Sequence, residues 1–389
     1  MHNDNKKILH LSLNSLYTDG WSYQDQMLTK FHKKLGYEVT DITSHWINDD
    51  KGNVIWDDRD DYVNGDGVHV IRLRIKGKES FTNKFKRFPE LYEAIEQVNP
   101  NIMFIHGVSC LENKTIVKYI KNHPNVVAYA DNHADFSNSG TNWISKNILH
   151  KVVWRHYAKL LVPYIKRFYG VMPSRVDFLK DIYHIPADKV QLLVMGVDDD
   201  EVKKALSPDS IAKLRKQYDI ADDDILVMTG GKIDMAKRQT VNLMQAINQL
   251  DNPKVKLIVF GSVVDELKAA VDAQCSDKCK YIGWINSEET LSYYGAADLV
   301  IFPGRHSVFW EQVVGIGKPM ICKYWEGTTH VDLGGNVKFL YKDTVEELTE
   351  IINTVLSSGD VFRKMQEVAQ SKGMEYFSYK QIAKKSIEI

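Results

Sequence analysis

The chain has 389 residues, of which 44% are hydrophobic and 26% charged, a composition typical of a globular protein with about two domains. Its formal net charge of −1 excludes a globally basic surface, so we expect no nucleic acid partner. Four scattered cysteines argue against a disulfide framework and favour a reducing compartment. No signal-peptide segment opens the sequence and no window approaches the ~20 apolar residues of a membrane span. We therefore expect a cytoplasmic protein.

The chain opens with a βαβ pattern. Residues 7–13 predict a buried strand, which is followed by a loop that contains Gly20 and a helix that ends near Leu35. The next strand begins at Glu38. Open α/β sheets bind ligands at the carboxyl ends of their strands, and Gly20 lies at such an end.

Two later strands end in polar side chains. Residues 101–106 and 126–130 are apolar runs that predict buried strands. A single histidine at a strand end is usually structural, but histidines after two successive strands favour a site at the edge where a ligand lies. The candidates are His106, Asp131, His133 and Asp135.

Two stretches of the first half combine basic and apolar residues. Residues 76–88 predict a short helix that suits an anionic lipid surface; the alternative is a helix with its aromatics in the core and its lysines in water. The basic residues are Lys76, Lys78, Lys84, Lys86 and Arg87, and the aromatics are Phe81, Phe85 and Phe88. Residues 143–168 show helical periodicity and predict a second helix that faces a membrane, a partner or solvent.

A second α/β unit begins after an acidic run that ends at Asp200. Residues 224–229 predict a buried strand that leads into Gly230 and Gly231. Lys232 and Lys237 follow on the loop and in the first helical turn. Two lysines beside a glycine loop can bind a diphosphate. The spacing is not that of a Walker loop, and the chain has no Gly-x-Gly-x-x-Gly after its first strand.

A second anion-binding pattern covers residues 301–332. A buried strand enters a Pro-Gly-Arg-His turn, and Ser307 is predicted to cap a short helix that runs to Gly315. Glu311 and Gln312 lie in the first turns of that helix. A helix start favours negative charge, and a carboxylate accepts the hydroxyl hydrogen bonds of a ribose or hexose. The alternative is an ordinary βαβ crossover.

Together these motifs resemble the retaining GT-B glycosyltransferases of glycosyltransferase family 4. Gly231-Lys232-Ile233, with Lys237 and Arg238 four and five residues further on, is similar to the family's Gly-Arg-Leu-x-x-x-Lys-Gly signature. The family's Ala-Asp-x-x-x-x-Pro and Gly-Lys-Pro segments match residues 296–303 and 317–319. The looser likeness in the first half covers residues 101–106 and 195–198.

The resemblance implies an α/β fold of the GT-B type, with two doubly wound Rossmann-like domains facing each other across a cleft. Residues 1–198 would form the acceptor-side domain, and residues 199–375 the domain that binds the nucleotide sugar. A C-terminal helix, residues 376–389, would cross back onto the first domain.

It also implies the reaction: transfer of a hexose from a nucleotide-diphosphate sugar, with UDP-sugar as the expected donor, to a glycan or lipid-linked acceptor, with retention of configuration. Neither a metal nor a cofactor is expected. A peripheral contact with an anionic membrane on the cytoplasmic side fits a lipid-linked acceptor.

The resemblance assigns roles residue by residue. Lys232 and Lys237 would stabilise the leaving diphosphate, and Trp284 and Ile285 would frame the base. His133 would contact the transferred sugar. The remaining donor-side residues are Gly20, Gly231, His306 and Ser307, and the acceptor-side residues are His106, Asp131 and Asp135.

The chain departs from the family at its glutamate pair. The first glutamate falls on Gly304, so Arg305, His306 or the amides near Ser307 would take over part of its role. The second falls on Gln312, with Glu311 one place earlier, and either residue can bind the ribose. Glu311 is the expected partner because a carboxylate is the stronger acceptor.

Two other functions remain open. A sugar-nucleotide epimerase or phosphorylase can use the same fold, because a fold does not fix a reaction. A non-catalytic sugar-nucleotide-binding partner subunit would explain the missing first glutamate.

Overall fold

A computed structural model describes residues 6–49, 52–77 and 80–388. The chain divides into two units, Met1–Met195 with Ile382–Ile389, and Gly196–Gln381. The boundary predicted from the sequence followed residue 198, and the segment predicted to cross back began at residue 376. Each unit contains its own sheet.

The first unit is built on an eight-stranded sheet in the order β10-β9-β8-β7-β1-β2-β6-β5. All neighbours are parallel except β5 and β6, which are antiparallel. Two short strands, β3 and β4, form a separate hairpin. The strands are β1 Lys7–Ser12, β2 Glu38–Ser44, β3 Trp46–Asn48, β4 Val54–Trp56, β5 Asp61–Val63, β6 His69–Leu73, β7 Ile102–His106, β8 Val127–Asn132, β9 Ile165–Gly170 and β10 Val190–Leu192.

Helices connect these strands. They are α1 Gln24–Lys34, α2 Leu91–Val98, α3 Asn113–Asn122, α4 Arg155–Leu161 and α5 Pro173–Asp181. A π-helical segment, Ser145–Trp154, runs directly into α4, and a short 3-10 turn, Ala187–Lys189, precedes β10.

The two faces of the first sheet differ in polarity because side chains alternate along each strand. Leu9 and Leu11 of β1 belong to the apolar core on one face. His10 and Ser12 point to the other face, as does Asp41 of β2, which is paired in register with His10. All three are fully buried. The first unit therefore contains a buried polar layer beside its apolar core.

Asp41 makes a pH-dependent contribution to stability. Its Oδ2 accepts a 2.6 Å hydrogen bond from Ser12 Oγ, but burial raises the pKa of its carboxyl from 3.8 to about 8. Because the folded state binds this proton more tightly than the unfolded state, stability is lost as the pH rises from about 4 to 8. Relative to Asp41→Asn, the wild-type free energy of unfolding should fall by up to ~1.4 kcal/mol per pH unit in that window. Urea unfolding of both proteins at pH 5 and pH 8 measures this, and identical pH dependence would refute it.

The second unit contains a six-stranded parallel sheet in the order β13-β12-β11-β14-β15-β16, which is the Rossmann order 3-2-1-4-5-6. Its strands are β11 Ile225–Gly230, β12 Val255–Phe260, β13 Cys279–Tyr281, β14 Leu299–Phe302, β15 Met320–Lys323 and β16 Val337–Leu340. Short 3-10 turns cover Met235–Lys237 and Thr329–Val331, and a π-helical turn covers Ala369–Gly373.

The helices of this part of the chain are α6 Asp199–Ala205, α7 Pro208–Gln217, α8 Gln239–Gln249, α9 Asp265–Asp272, α10 Ser287–Ala296, α11 Phe309–Gly315, α12 Val345–Ser357, α13 Gly359–Val368, α14 Met374–Tyr376 and α15 Tyr379–Ser386. From Ile382 onward α15 counts with the first unit.

The short helix predicted for residues 76–88 is wrong. Residues 80–90 form successive turns, in which Phe88 is buried and Lys86 is only 4% exposed. Burial lowers the pKa of Lys86 to about 8, and its ammonium lies 4.3 Å from the centre of the Phe81 ring. Lys78 lies outside the described residues. A lysine buried in this way is not available to a lipid surface.

The helix predicted for residues 143–168 ends earlier, at Leu161, and β9 begins at Ile165. Its apolar side chains are divided between core and surface: Trp154, Ala158 and Leu161 are buried in the core, whereas Val152 is 61% and Ile148 is 47% exposed. Within the described ranges, none of the helices is both long enough and apolar enough to cross a bilayer.

Candidate functional site

The two anion-binding patterns of the second half meet at one point of the sheet. The strand order reverses between β11 and β14, which are neighbours. Gly231 follows β11, and the Pro303-Gly304-Arg305 turn follows β14. Such a reversal leaves a crevice at the carboxyl ends of the strands, where α/β proteins bind ligands. The sequence motifs and the sheet topology therefore indicate the same candidate ligand-binding position.

Glycines let the backbone approach closely at this edge. Gly231 donates its N–H to Phe260 O (3.1 Å) and Gly261 donates to Gly283 O (2.7 Å), so pairing continues beyond the strands. Gly261 has φ +120°, and a Cβ there would collide with the carbonyl of Gly231. Only glycine fits at position 261, because the backbones of the two loops pack directly against each other there.

Lys237 lies against this glycine loop. A Cβ on Gly231 would be 3.6 Å from Lys237 Nζ, and a Cβ on Gly304 would be 3.2 Å from Lys237 Cα. Asp234 accepts a hydrogen bond from the Ala236 N–H and so fixes the turn that carries Lys237.

The cations of this loop form no close ion pair among the described residues. Burial lowers the pKa of Lys237; the nearby charge of Asp234 raises it and that of Arg305 lowers it. In the described part of the chain, Lys237 has no carboxylate within ion-pair distance. Lys232 and Arg305 are exposed. Cations grouped near a glycine loop are typical of sites that bind multivalent anions.

Glu311 is the centre of a buried cluster on α11. Its side chain is fully buried, and its Oε1 accepts hydrogen bonds of 2.9 Å from His306 Nε2 and 2.9 Å from His330 Nε2. Burial alone would raise the pKa of Glu311, but the two histidines hold it at about 2. Glu311 is therefore a carboxylate at neutral pH. Its Oε2 has no hydrogen-bond partner among the described residues.

Other predicted donor-side residues have different environments. Gln312 is 6% exposed, whereas the Trp284 side chain is 60% exposed and Ile285 is partly buried. The predicted cap by Ser307 is wrong: α11 begins one residue later than expected, its N-cap is Val308, and no side chain caps it. Ser307 instead accepts the Trp310 N–H through its main-chain oxygen (3.0 Å).

The first unit brings three of its predicted residues together. Asp131 is fully buried at the end of β8; its Oδ2 lies 2.9 Å from His106 Nδ1 and 3.2 Å from His133 Nε2. Its Oδ1 accepts the Gly107 N–H at 3.0 Å. Burial alone would raise the pKa of Asp131, but His133 and His106 hold it well below its usual range. The His133 side chain remains 40% exposed.

Asp135 and Gly20 make no hydrogen bond to His106, Asp131 or His133 among the described residues. Asp135 Oδ2 binds Arg175 Nε at 3.2 Å, and its Oδ1 accepts from Ser137; these bonds stabilise the loop that follows β8. Gly20 has φ +79° and open space beside it, in the loop after β1.

Sequence reasoning missed three histidines. His330 reaches Glu311 from a turn nineteen residues further along the chain, and no nearby motif marks it. His10 and His32 lie behind His106 in the polar layer. The one available signal for His10 was a histidine inside an otherwise apolar strand.

Two groups of described residues bring three potential metal-ligand atoms within 4.8 Å of one another: His106, Asp131 and His133, and His306, Glu311 and His330. The Glu311 carboxylate accepts hydrogen bonds from both of its histidines. Asp131 is hydrogen-bonded to His106 and lies within ion-pair distance of His133, and these contacts account for the spacing in both groups. That the reaction requires no metal stays a prediction.

The sequence of the second half is similar to known glycosyltransferases. Residues 210–372 match the family described as glycosyl transferases group 1. An uncharacterized glycosyltransferase of Methanocaldococcus jannaschii is 20% identical over 230 residues, which cover 56% of this chain and 58% of the relative. The chain thus spans less than two thirds of the length of the curated relative it matches.

Solved structures resemble the whole chain. A glycosyltransferase from Rickettsia africae superposes with a TM-score of 0.66 at 16% identity, over 99% of this chain and 97% of that one. The Anabaena protein HepE, in complex with UDP, superposes with a TM-score of 0.64 at 16% identity, over 98% of both chains.

The fold is therefore GT-B: mixed α/β, with two Rossmann-like domains. The glycine loop, the cations and the Glu311 cluster all lie within residues 210–372, the part of the chain that matches the glycosyl transferases group 1 family.

Proposed function

We propose that the protein is a glycosyltransferase that moves a hexose from a nucleotide-diphosphate sugar to an acceptor hydroxyl. One observation carries the proposal: Lys237, with no carboxylate within ion-pair distance in the described chain, lies beside Gly231 at the strand reversal of the second sheet, and the charge of Arg305 acts on it. The family match and the UDP complex of HepE support a nucleotide diphosphate as the anion.

The cations act on the leaving group. As the sugar–oxygen bond breaks, negative charge develops on the departing diphosphate, and preorganised cations lower the barrier by stabilising that charge. Lys237 is partly buried, and this burial lowers its pKa. Charges interact more strongly where water is excluded. We propose that Lys237 and Lys232 perform this role without a metal or other cofactor.

The rest of the donor has candidate partners on the same unit. Trp284 presents an exposed aromatic face for the base, with Ile285 beside it in sequence. The ribose is assigned to Glu311 or Gln312. Glu311 Oε2 is a buried acceptor without a described partner, so it can accept a ribose hydroxyl. If Gln312→Ala abolishes UDP binding while Glu311→Gln retains it, the ribose belongs to Gln312.

The first unit contributes acceptor-side groups in this proposal. His133 is the exposed member of the Asp131 cluster and would contact a sugar hydroxyl, with His106 and Asp131 behind it. The donor is proposed to be a UDP-sugar, the acceptor a glycan or a lipid-linked sugar, and the configuration retained.

A product assay with and without acceptors tests the proposal. The purified protein is incubated with UDP-sugars alone and with a panel of glycans and lipid-linked sugars. A transferase forms a glycosylated acceptor and releases UDP only when the acceptor is present. Conversion of the UDP-sugar without an acceptor would indicate an epimerase. Tight donor binding without product over the whole panel would indicate a binding subunit.

We also propose that the first unit contacts an anionic membrane through the segment before α4. Trp143 is 69%, Ile144 64% and Val152 61% exposed. No aspartate or glutamate occurs between residues 136 and 176, a stretch that contains seven lysines and arginines. Apolar side chains within a basic surface insert at the interface of anionic lipids.

Vesicle co-sedimentation measures this contact. The wild type should bind vesicles that contain phosphatidylglycerol and not neutral phosphatidylcholine vesicles. The Trp143→Ser/Ile144→Ser variant should bind about tenfold more weakly, because it removes two apolar anchors. Val63→Ser is the matched control, since Val63 is 66% exposed in the same unit but lies on edge strand β5. Equal binding to neutral and anionic vesicles would remove the proposal.

A further inference from the structure

Three buried histidines connect the site in the first unit to the C-terminal helix. His106 Nε2 lies 2.9 Å from His10 Nδ1, and His10 Nε2 lies 3.0 Å from His32 Nδ1. His32 Nε2 lies 3.0 Å from both Ala383 O and Ser386 Oγ. At the other end, His106 Nδ1 is 2.9 Å from Asp131. The chain therefore runs unbroken from α15 to the carboxylate that binds His133.

The number of protons shared by the three histidines follows from the two groups at the ends of this hydrogen-bonded series. Asp131, held as a carboxylate, and the Ala383 carbonyl can only accept hydrogen bonds. Four links between these ends need four hydrogens, but three neutral imidazoles supply three. One histidine must then be doubly protonated. The negative charge of Asp131 compensates the positive charge of this histidine, so the buried group of three histidines and Asp131 is neutral as a whole.

Ser386 allows one alternative. If its hydroxyl donated to His32 Nε2, three protons would suffice and every histidine would carry its hydrogen on Nδ1. That arrangement would place the lone pairs of His32 Nε2 and Ala383 O against each other at 3.0 Å. It would also break the 2.8 Å bond that Ser386 Oγ donates to Ala383 O. The geometry favours the four-proton chain.

The charged groups around the three histidines determine which of them carries the additional proton. Asp131 of β8 lies against His106, and Asp25 of α1 acts on His106 as well. Asp41 of β2 also acts on it, but burial raises the pKa of Asp41 to about 8, so this carboxyl is mostly protonated at pH 7. Burial alone would lower the pKa of His106, but these carboxylates, Asp131 foremost, raise it. Burial lowers the pKa of His10 strongly and that of His32 to about 4. His106 is thus the imidazolium, and His10 and His32 are neutral.

We propose that His32, His10 and His106 are positioning residues that store one proton beside Asp131 and thereby fix how His133 meets its ligand. With its charge matched by His106, Asp131 accepts the Nε2–H of His133, so His133 is left to present Nδ1 as an acceptor for a hydroxyl. This inference rests on the proposed function only where it identifies that hydroxyl as part of a sugar. The proton arrangement stands independently.

Nitrogen-15 NMR of the histidine-labelled protein tests the arrangement directly, because ring nitrogen shifts distinguish the two tautomers from the imidazolium. We expect His10 and His32 to be protonated on Nε2, and His106 on both nitrogens, at pH 7. In Ser386→Ala these states should persist, since Ser386 is not a donor to the chain. Protons on Nδ1 of all three histidines would overturn the proposal, whether or not the protein transfers sugar.

A kinetic comparison tests the consequence. His10→Phe interrupts the chain and fills its volume; kcat should fall about tenfold or more because His133 loses its fixed state, while the Kd for UDP, bound by the second unit, stays within about twofold. His150→Phe is the matched control, because His150 is buried in the same unit but binds Tyr183 instead. Unchanged kcat in His10→Phe would reject the positioning role, and absence of turnover in the wild type would instead reject the proposed function.

Discussion

Lys237→Ala is expected to lower turnover by about 10²–10³-fold while the protein remains folded. The lysine lies against Gly231 and forms no close ion pair among the described residues, so its charge is available to the leaving diphosphate. Removing one preorganised group that stabilises developing charge typically has an effect of this size. Steady-state kinetics with the donor and an active acceptor measure the change.

The control for this variant is Lys268→Ala. Lys268 belongs to the same unit, is 65% exposed and, among the described residues, forms an ion pair only with Asp265 of its own helix, so its loss should leave turnover within about twofold. Circular dichroism and the melting temperature check that Lys237→Ala is folded. Near-wild-type turnover in folded Lys237→Ala would contradict the assignment of the diphosphate to this loop.

Glu311→Gln is expected to lower the free energy of unfolding by about 3 kcal/mol at pH 7. Its carboxylate is the shared acceptor of His306 and His330, which hold its pKa at about 2 against an ordinary value of 4.5. A depressed pKa stabilises the folded state above the ordinary value, and this stability is lost as the pH falls towards 2.

The pH dependence distinguishes this electrostatic effect from a packing defect. The difference in unfolding free energy between wild type and Glu311→Gln should narrow by about 2 kcal/mol between pH 7 and pH 3. Glu367→Gln serves as the control, since Glu367 is 68% exposed and its loss should change stability by less than about 0.5 kcal/mol. A difference that stays constant with pH would show that Glu311 is not held as a buried carboxylate.

The sequence was sufficient for the parallel strands of both units. Buried parallel strands are continuous apolar runs, and residues 101–106 and 299–302 show that pattern clearly. The glycines after β11 and the Gly-Lys-Pro after α11 interrupt it at positions where the chain must turn. The presence of these strands therefore followed from local signals, and the GT-B fold from the family resemblance, whereas the strand order was needed to show that the two anion-binding patterns meet.

Contacts between distant residues did not follow. The chain of His32, His10 and His106 depends on strand order and on helix α15, which returns more than 350 residues after His32. Local patterns also gave the wrong burial for two side chains. Lys86 is buried, although lysines usually are exposed, and Val152 is exposed, although it continues the apolar periodicity of its helix.

The most direct measurement of the central claim is a thermal-shift screen of nucleoside mono- and diphosphates, UDP-sugars and inorganic phosphate. A diphosphate and its sugar should raise the Tm by several degrees, since ligand at about 100 times Kd adds ~2.7 kcal/mol, and Lys237→Ala should lose the shift. No shift with any nucleoside diphosphate or its sugar, or an equal shift with inorganic phosphate, would contradict a nucleotide-sugar site at Gly231 and Lys237.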